Sequence, residues 1–141
     1  MELREYREQD FNSLIKLYKN KGSYGGNYDP ARDNQSKLKL TSESGNLFVV
    51  VENEEVIGTF MILDNPHTFW LLRFCADPDR QSYHEICKLM LNKAKSLAKS
   101  RGHESIIVYT DENNIKLNER YEDLGFNKGG PYRCYWIESN L

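Results

Sequence analysis

The rhythm of apolar and polar positions changes several times along this chain, and each change marks an element. Leu3 to Arg7 reads as a short first strand. Asp10 fits an N-cap, after which Phe11, Leu14, Ile15 and Tyr18 recur at helical spacing until Gly22. Gly22 to Pro30 is turn-rich, with Gly25-Gly26 set between Tyr24 and Tyr28. Pro30 suits the first position of a second helix, with Leu38 and Leu40 near its end. The apolar run Leu47 to Val51 and the segment Val56 to Leu63 flank a polar turn, Asn53-Glu54-Glu55, which predicts an antiparallel hairpin. Thr68 to Ala76 is a third central strand, dense in large apolar side chains, broken by Arg73 and stopped by Pro78.

The second half begins with a longer period. Ile86, Leu89, Met90, Leu97 and Ala98 form a stripe along a helix from Gln81 to Ser100, with lysines 88, 93, 95 and 99 on its wet side. Gly102 ends it. Ser105 to Thr110 is β-branched and apolar, the pattern of a buried strand. Asn114 to Leu124 is a shorter helix with Leu117, Tyr121 and Leu124 on one face and Gly125 just past its end. Tyr132 to Ile137 alternates Tyr, Cys and Trp as a terminal strand. A strand meander followed by alternating strands and helices predicts an α/β fold over residues 1–141, read as a single domain. Its sheet is expected to be mixed and mostly antiparallel, about six to seven strands wide, with helices on both faces.

Composition narrows the class. Hydrophobic residues make up 39% and charged residues 28%, the balance of a globular chain, and 141 residues suffice for a proper core. A formal charge of −2 gives no long-range pull toward nucleic acid or an anionic membrane, so neither is an expected partner. No apolar run approaches a membrane span, and the charged stretch from Glu2 to Arg7 does not resemble a secretory leader. Cys75, Cys87 and Cys134 lack metal-ligand spacing and sit in apolar runs, as buried thiols in a reducing cytoplasm would; no metal site is expected.

One stretch carries chemistry: Asn114-Ile115-Lys116-Leu117-Asn118-Glu119-Arg120-Tyr121, ending at Gly125-Phe126. Seven residues, two helical turns, put Asn114 and Tyr121 on one face. Together with the element order, the opening Leu3 to Phe11 and Val56-Ile57-Gly58, this stretch resembles the GNAT family of acyl-CoA-dependent N-acyltransferases, from Glu2 to Glu138. The resemblance implies that the Asn114–Tyr121 face meets the thioester end of acetyl-CoA or another acyl-CoA. It also implies that Tyr121 protonates the departing thiolate. A phenol of pKa about 10 suits a thiol leaving group of about 8.5. Read without the family, Tyr121 is an aromatic on an apolar helix face.

In the family, the CoA pyrophosphate sits in a turn of pattern Gln/Arg-x-x-Gly-x-Gly/Ala at the start of the long helix. Counted from Pro78, the corresponding residues are Gln81, Ser82, Tyr83, His84, Glu85 and Ile86. Only Gln81 matches, and Glu85 adds a negative charge. If this segment is simply the first helical turn, it needs no left-handed backbone and its amides stay available, with Arg80, His84 and Lys88 to offset Glu85. The resemblance further implies that the backbone at Cys75 and Ala76 aligns the pantetheine arm in a splay beside Ser105 to Thr110.

Acceptor recognition in the family falls to the segment between the first two helices and the last hairpin. Tyr24 and Tyr28, with Asp29 and Asp33 nearby, would suit a small amine, a lysine or an N-terminal amine; alternatively the tyrosines cover the sheet. Arg73 either faces this site or reaches solvent at a sheet edge. Glu52, Asp64, Asp77 and Asp111, all near strand ends, are candidates for a general base. Two functions stay open: N-acyl transfer to a primary amine, or a non-catalytic module that has kept the fold and lost the cofactor. An unrelated α/β binding domain is a third. The terminal strand is also available for pairing across a homodimer.

Overall fold

The computed structural model describes residues 1–23 and 27–140. It contains two compact units, Met1–Tyr109 and a second beginning at Thr110.

The first unit is built on four antiparallel strands in sequential order: β1 (Glu2–Glu5), β2 (Leu47–Glu52), β3 (Glu55–Asn65) and β4 (Thr68–Ala76). Helices α1 (Phe11–Lys19) and α2 (Gln35–Glu43) connect β1 to β2, and α3 (Tyr83–Ser100) follows β4. The unbroken apolar run of β2 is explained by cover on both faces. Leu47 and Val49 join Leu14, Leu17 and Tyr18 of α1 and Leu38 of α2 in one buried cluster. Phe48, pointing the other way, stacks on Phe60 at 5.2 Å and lies beneath Lys93 of α3. The strand period of two thus divides one hydrophobic run between two layers of helix.

The hairpin β2–β3 closes with Glu52 opposite Glu55 over Asn53 (φ 51) and Glu54 (φ 66). Two left-handed residues make the turn whose twist matches the strands on either side. Two irregularities then shape the sheet. Ile57 is an extra residue between the pairs Val50–Gly58 and Val51–Val56, and its carbonyl accepts the amide of Asp77 at 2.8 Å. A second bulge, on β4, opposes Phe60 with both Arg73 and Phe74.

Several expectations are corrected. The sheet has four strands among the described residues, not six or seven. Among the described residues Ser105 to Thr110 has a parallel bridge, Ile107 with Trp70, rather than a ladder, and Tyr132 to Ile137 is exposed and not assigned to a strand. β-propensity records fitness for a pleated, half-buried surface, and without a laddered neighbour it does not make a strand. Cys134 is exposed, while Cys75 and Cys87 are buried. Pro30 does not open α2: a turn at Asp29, whose carbonyl accepts the amides of Arg32 and Asp33, comes first, and Asn34 caps the helix by accepting from Lys37 N at 3.0 Å. Asp10 precedes α1, but its carboxylate does not cap that helix. It accepts Arg7 N at 2.8 Å and both guanidinium nitrogens of Arg4 at 2.7 and 2.9 Å.

The second unit holds α4 (Ile115–Asp123). Asn114 caps its start, with Oδ1 accepting Leu117 N at 3.2 Å. Asn118 ties the preceding turn by donating to the carbonyls of Asp111 and Glu112 and meeting the Thr110 hydroxyl. At the other end Gly125 (φ 97) donates to Glu122 O and Phe126 N to Tyr121 O, both at 3.0 Å. This is the paired stop that a left-handed glycine permits, completed by an apolar contact. That contact is the Tyr121 ring edge-on to Phe126, with centroids 5.2 Å apart.

Candidate active site

β4 presents two edges. One pairs with β3 throughout, apart from the bulge. The other meets Ile107, with Leu71 N donating to Ile107 O at 2.9 Å and Ile107 N to Phe69 O at 3.0 Å. Past Leu71 the strand runs on through Cys75 and Ala76. The side chains of Cys75 and Ala76 are buried, so what they offer a ligand is backbone.

Asp77 to Ser82 turn the chain into α3. Asp77 N is anchored on Ile57 O, Arg80 N on Asp77 O and Tyr83 N on Arg80 O. Left-handed backbone outside glycine is confined to Asn53, Glu54 and Arg73 among the described residues, so Gln81 to Ile86 needs none. Ile86 N donates to Ser82 O as an ordinary helical amide. The amides of Gln81, Ser82, His84 and Glu85 have no protein acceptor among the described residues, and the Ser82 hydroxyl does not cap the helix. His84 and Glu85 are exposed and leave that helix start uncovered. Such a start offers converging N–H groups and the positive end of the helix dipole.

Ile86, where the family pattern has a small residue, is fully buried and lies over Gly58. A Cβ built on Gly58 would stand 2.7 Å from Ile86 Cγ2 and 3.0 Å from Met90 Sδ. Replacing Gly58 by alanine should therefore cost about 2 kcal/mol through overpacking. It should show as a lower urea midpoint at unchanged slope.

The charges fall differently from the expectation. Arg80 does not offset Glu85: its guanidinium is taken by Glu55 at 2.7 Å and by Glu52 and Asp77 at 3.3 Å. Those contacts engage two of the four base candidates. Asp64 pairs with Arg101 at 3.3 Å, and Asp111 accepts Asn113 N at 2.9 Å. All four carboxylates have structural partners. Arg73 lies on β4, the outermost strand of the sheet, but its side chain is mostly buried and ion-paired at 2.6 Å with Asp33, itself only 1% exposed. Tyr28 packs half-buried against the α1 cluster with Lys19 Nζ over its ring, and Tyr24 lies outside the described residues. In the second unit Asn114 Oδ1 caps α4, and Tyr121 is half-buried with Arg120 over its ring. Sequence reading missed the Asp33–Arg73 pair, although an arginine inside an apolar strand signals a buried counter-ion.

A family profile described as the acetyltransferase (GNAT) family matches residues 8–126. The chain belongs to the GNAT family.

Solved structures agree on the fold. A 6'-N-acetyltransferase for aminoglycoside antibiotics from Acinetobacter haemolyticus superposes with a TM-score of 0.75 at 12% identity, over 99% of this chain and 100% of that one. PaiA N-acetyltransferase from Thermoplasma acidophilum, in complex with coenzyme A, gives 0.69 at 20% identity over 86% and 87%. A ribosomal-protein-alanine N-acetyltransferase from Brucella melitensis gives 0.69 at 18% over 92% and 86%. At such identities the GNAT fold is what is shared, and the site must be argued from this chain's own residues.

Proposed function

We propose that this GNAT protein transfers an acetyl or similar acyl group from acyl-CoA to a primary amine. The observation that carries the reading is the β4 edge. It bridges to Ile107 at Trp70 and leads through Cys75 and Ala76 into a helix start with four amides that have no protein acceptor among the described residues. A pyrophosphate can accept from such a helix start. Gln81 to Ile86 would hold the pyrophosphate through backbone rather than through glycine-given shape.

In the proposed reaction the neutral amine nitrogen attacks the thioester carbonyl and the C–S bond breaks. The hydroxyl of Tyr121 gives its proton to the leaving thiolate, and the amine proton finally restores the phenol. Products are the amide and the free thiol, with no covalent enzyme intermediate. Positioning supplies most of the rate. The assignment of Tyr121 rests on the Asn114 to Phe126 pattern. Tyr28 is the described residue proposed to border the acceptor, which is an amine in the sense shared by the relatives' names. No metal takes part in this scheme.

A second reading, a GNAT-like module without cofactor, is favoured by Glu85: it stands exposed in the first turn of α3 while Arg80 serves other carboxylates. Calorimetric titration with acetyl-CoA separates the two. Saturable binding at micromolar to low millimolar cofactor is expected; a flat titration at millimolar cofactor would leave the binding-module reading in its place.

A further inference from the structure

Arg73 sits where β4 gains its extra residue. Thr59 faces Cys75 and Met61 faces Leu72, so Phe60 alone is opposed by Arg73 and Phe74. Arg73 has φ 50, the left-handed conformation that glycine usually supplies at the first position of such a bulge. A side chain held there needs surroundings that over-determine it. Two contacts do so. The Arg73 Nη2 donates to Asp33 Oδ2 at 2.6 Å, and the guanidinium lies 4.8 Å from the centroid of the Tyr18 ring.

Asp33 is itself fixed by a local turn. The same Oδ2 accepts Asp29 N at 2.9 Å, and Asp33 N donates to Asp29 O at 2.7 Å. Its Oδ1 is buried and has no hydrogen-bond partner among the described residues. The carboxylate is therefore not held in place by a full set of hydrogen bonds. Burial of a half-satisfied carboxylate is compensated mainly by the opposite charge it faces. The turn before α2, the face of α1 and the irregular point of β4 thus converge on one guanidinium.

We propose that Asp33 is a positioning residue: through Arg73 it sets the β4 bulge, and with it the course of the backbone from Leu72 to Ala76. That the same backbone aligns an acyl-CoA arm rests on the function proposed above; the setting of the bulge does not. The control is specific. Glycine adopts the left-handed conformation without help, so a bulge with Arg73→Gly has no need of Asp33.

The test compares wild type, Asp33→Asn and the double variant Asp33→Asn/Arg73→Gly by amide hydrogen exchange and by acetyl-CoA titration. In Asp33→Asn, exchange across Thr59–Met61 and Leu72–Cys75 should quicken about tenfold, with the β1–β2 pairing unchanged. Acetyl-CoA affinity should fall by a similar factor. The double variant should recover both. If Asp33→Asn fails to fold, the double variant should still fold with the wild-type exchange pattern. Unchanged exchange at the bulge in Asp33→Asn overturns the proposal, as does a double variant no better than the single one. A wild type that does not bind acetyl-CoA removes the acyl-CoA reading, while the exchange comparison still decides the role of Asp33.

Discussion

Tyr121→Phe should lower kcat for amine acetylation by about 100-fold or more, within the range typical of a lost general acid. The fold and the acetyl-CoA affinity should be kept. The separation follows from the structural role of the Tyr121 ring and the proposed acid role of its hydroxyl. Its ring closes the end of α4 by standing edge-on to Phe126, a contact that phenylalanine keeps. The stop itself is made by the ring and the backbone, and the hydroxyl is the only group removed. Tyr121→Ala would confound the two by losing the ring as well. The decisive measurement is steady-state turnover with a good amine beside a thermal melt. If kcat is unchanged in the phenylalanine variant, the pattern Tyr121 to Phe126 is explained by helix termination alone and the acid must be sought elsewhere.

Asp10→Ala should cost about 3 kcal/mol, the size expected when one partner of a largely buried ion pair is removed. Asp10 is 5% exposed, and the Arg4 side chain 13%. The two bonds from Arg4 are parallel and short, the geometry in which a guanidinium and a carboxylate bind most firmly. Their effect is visible on Arg4, whose pKa is raised because the hydrogen bond to Asp10 outweighs the burial that would lower it. Removing the carboxylate leaves that charge in a nearly dry place and frees Arg7 N at the entry to α1. Urea unfolding should show the loss as a lower midpoint at unchanged slope. A change below about 0.5 kcal/mol, the scale of an exposed pair, would mean that water reaches Arg4 far more readily than the structure allows.

Elements with a strong local signal were legible in the sequence. The strand Thr68 to Ala76 has the bounds expected of it, and the Asn53-Glu54 hairpin and the Gly125 stop lie where turn chemistry put them. What could not be read was pairing between distant segments. Ser105 to Thr110 has the composition of a strand, but a ladder needs pairing along its length, and among the described residues the segment is bridged at Ile107. The start of α2 was missed because Pro30 and Asn34 are both good openers, and the Asp29 turn that chooses between them is closed by the same Asp33 carboxylate that meets Arg73.

The site divides in the same way. That Gln81 to Ile86 needs no left-handed backbone was legible, because the helical stripe begins at Ile86, although the helix opens at Tyr83 rather than at Gln81. That its arginine neighbour serves three carboxylates was not, since Glu52 and Glu55 arrive from another hairpin. Candidate carboxylates near strand ends are easy to find in a sequence. Which of them is already occupied is a matter of three dimensions.

The contact between Gly58 and Ile86 gives the unusual loop a second address. The space that a strand residue gives up is the space that the helix residue fills, so the two positions share one volume. Shrinking Ile86 toward the small residue of the family pattern would open a void over the sheet, and enlarging Gly58 would lift the first turn of α3. An attempt to rebuild a glycine-rich loop on this scaffold therefore has to be made in the middle of the sheet as well as at the helix, with the bulk moved from one to the other.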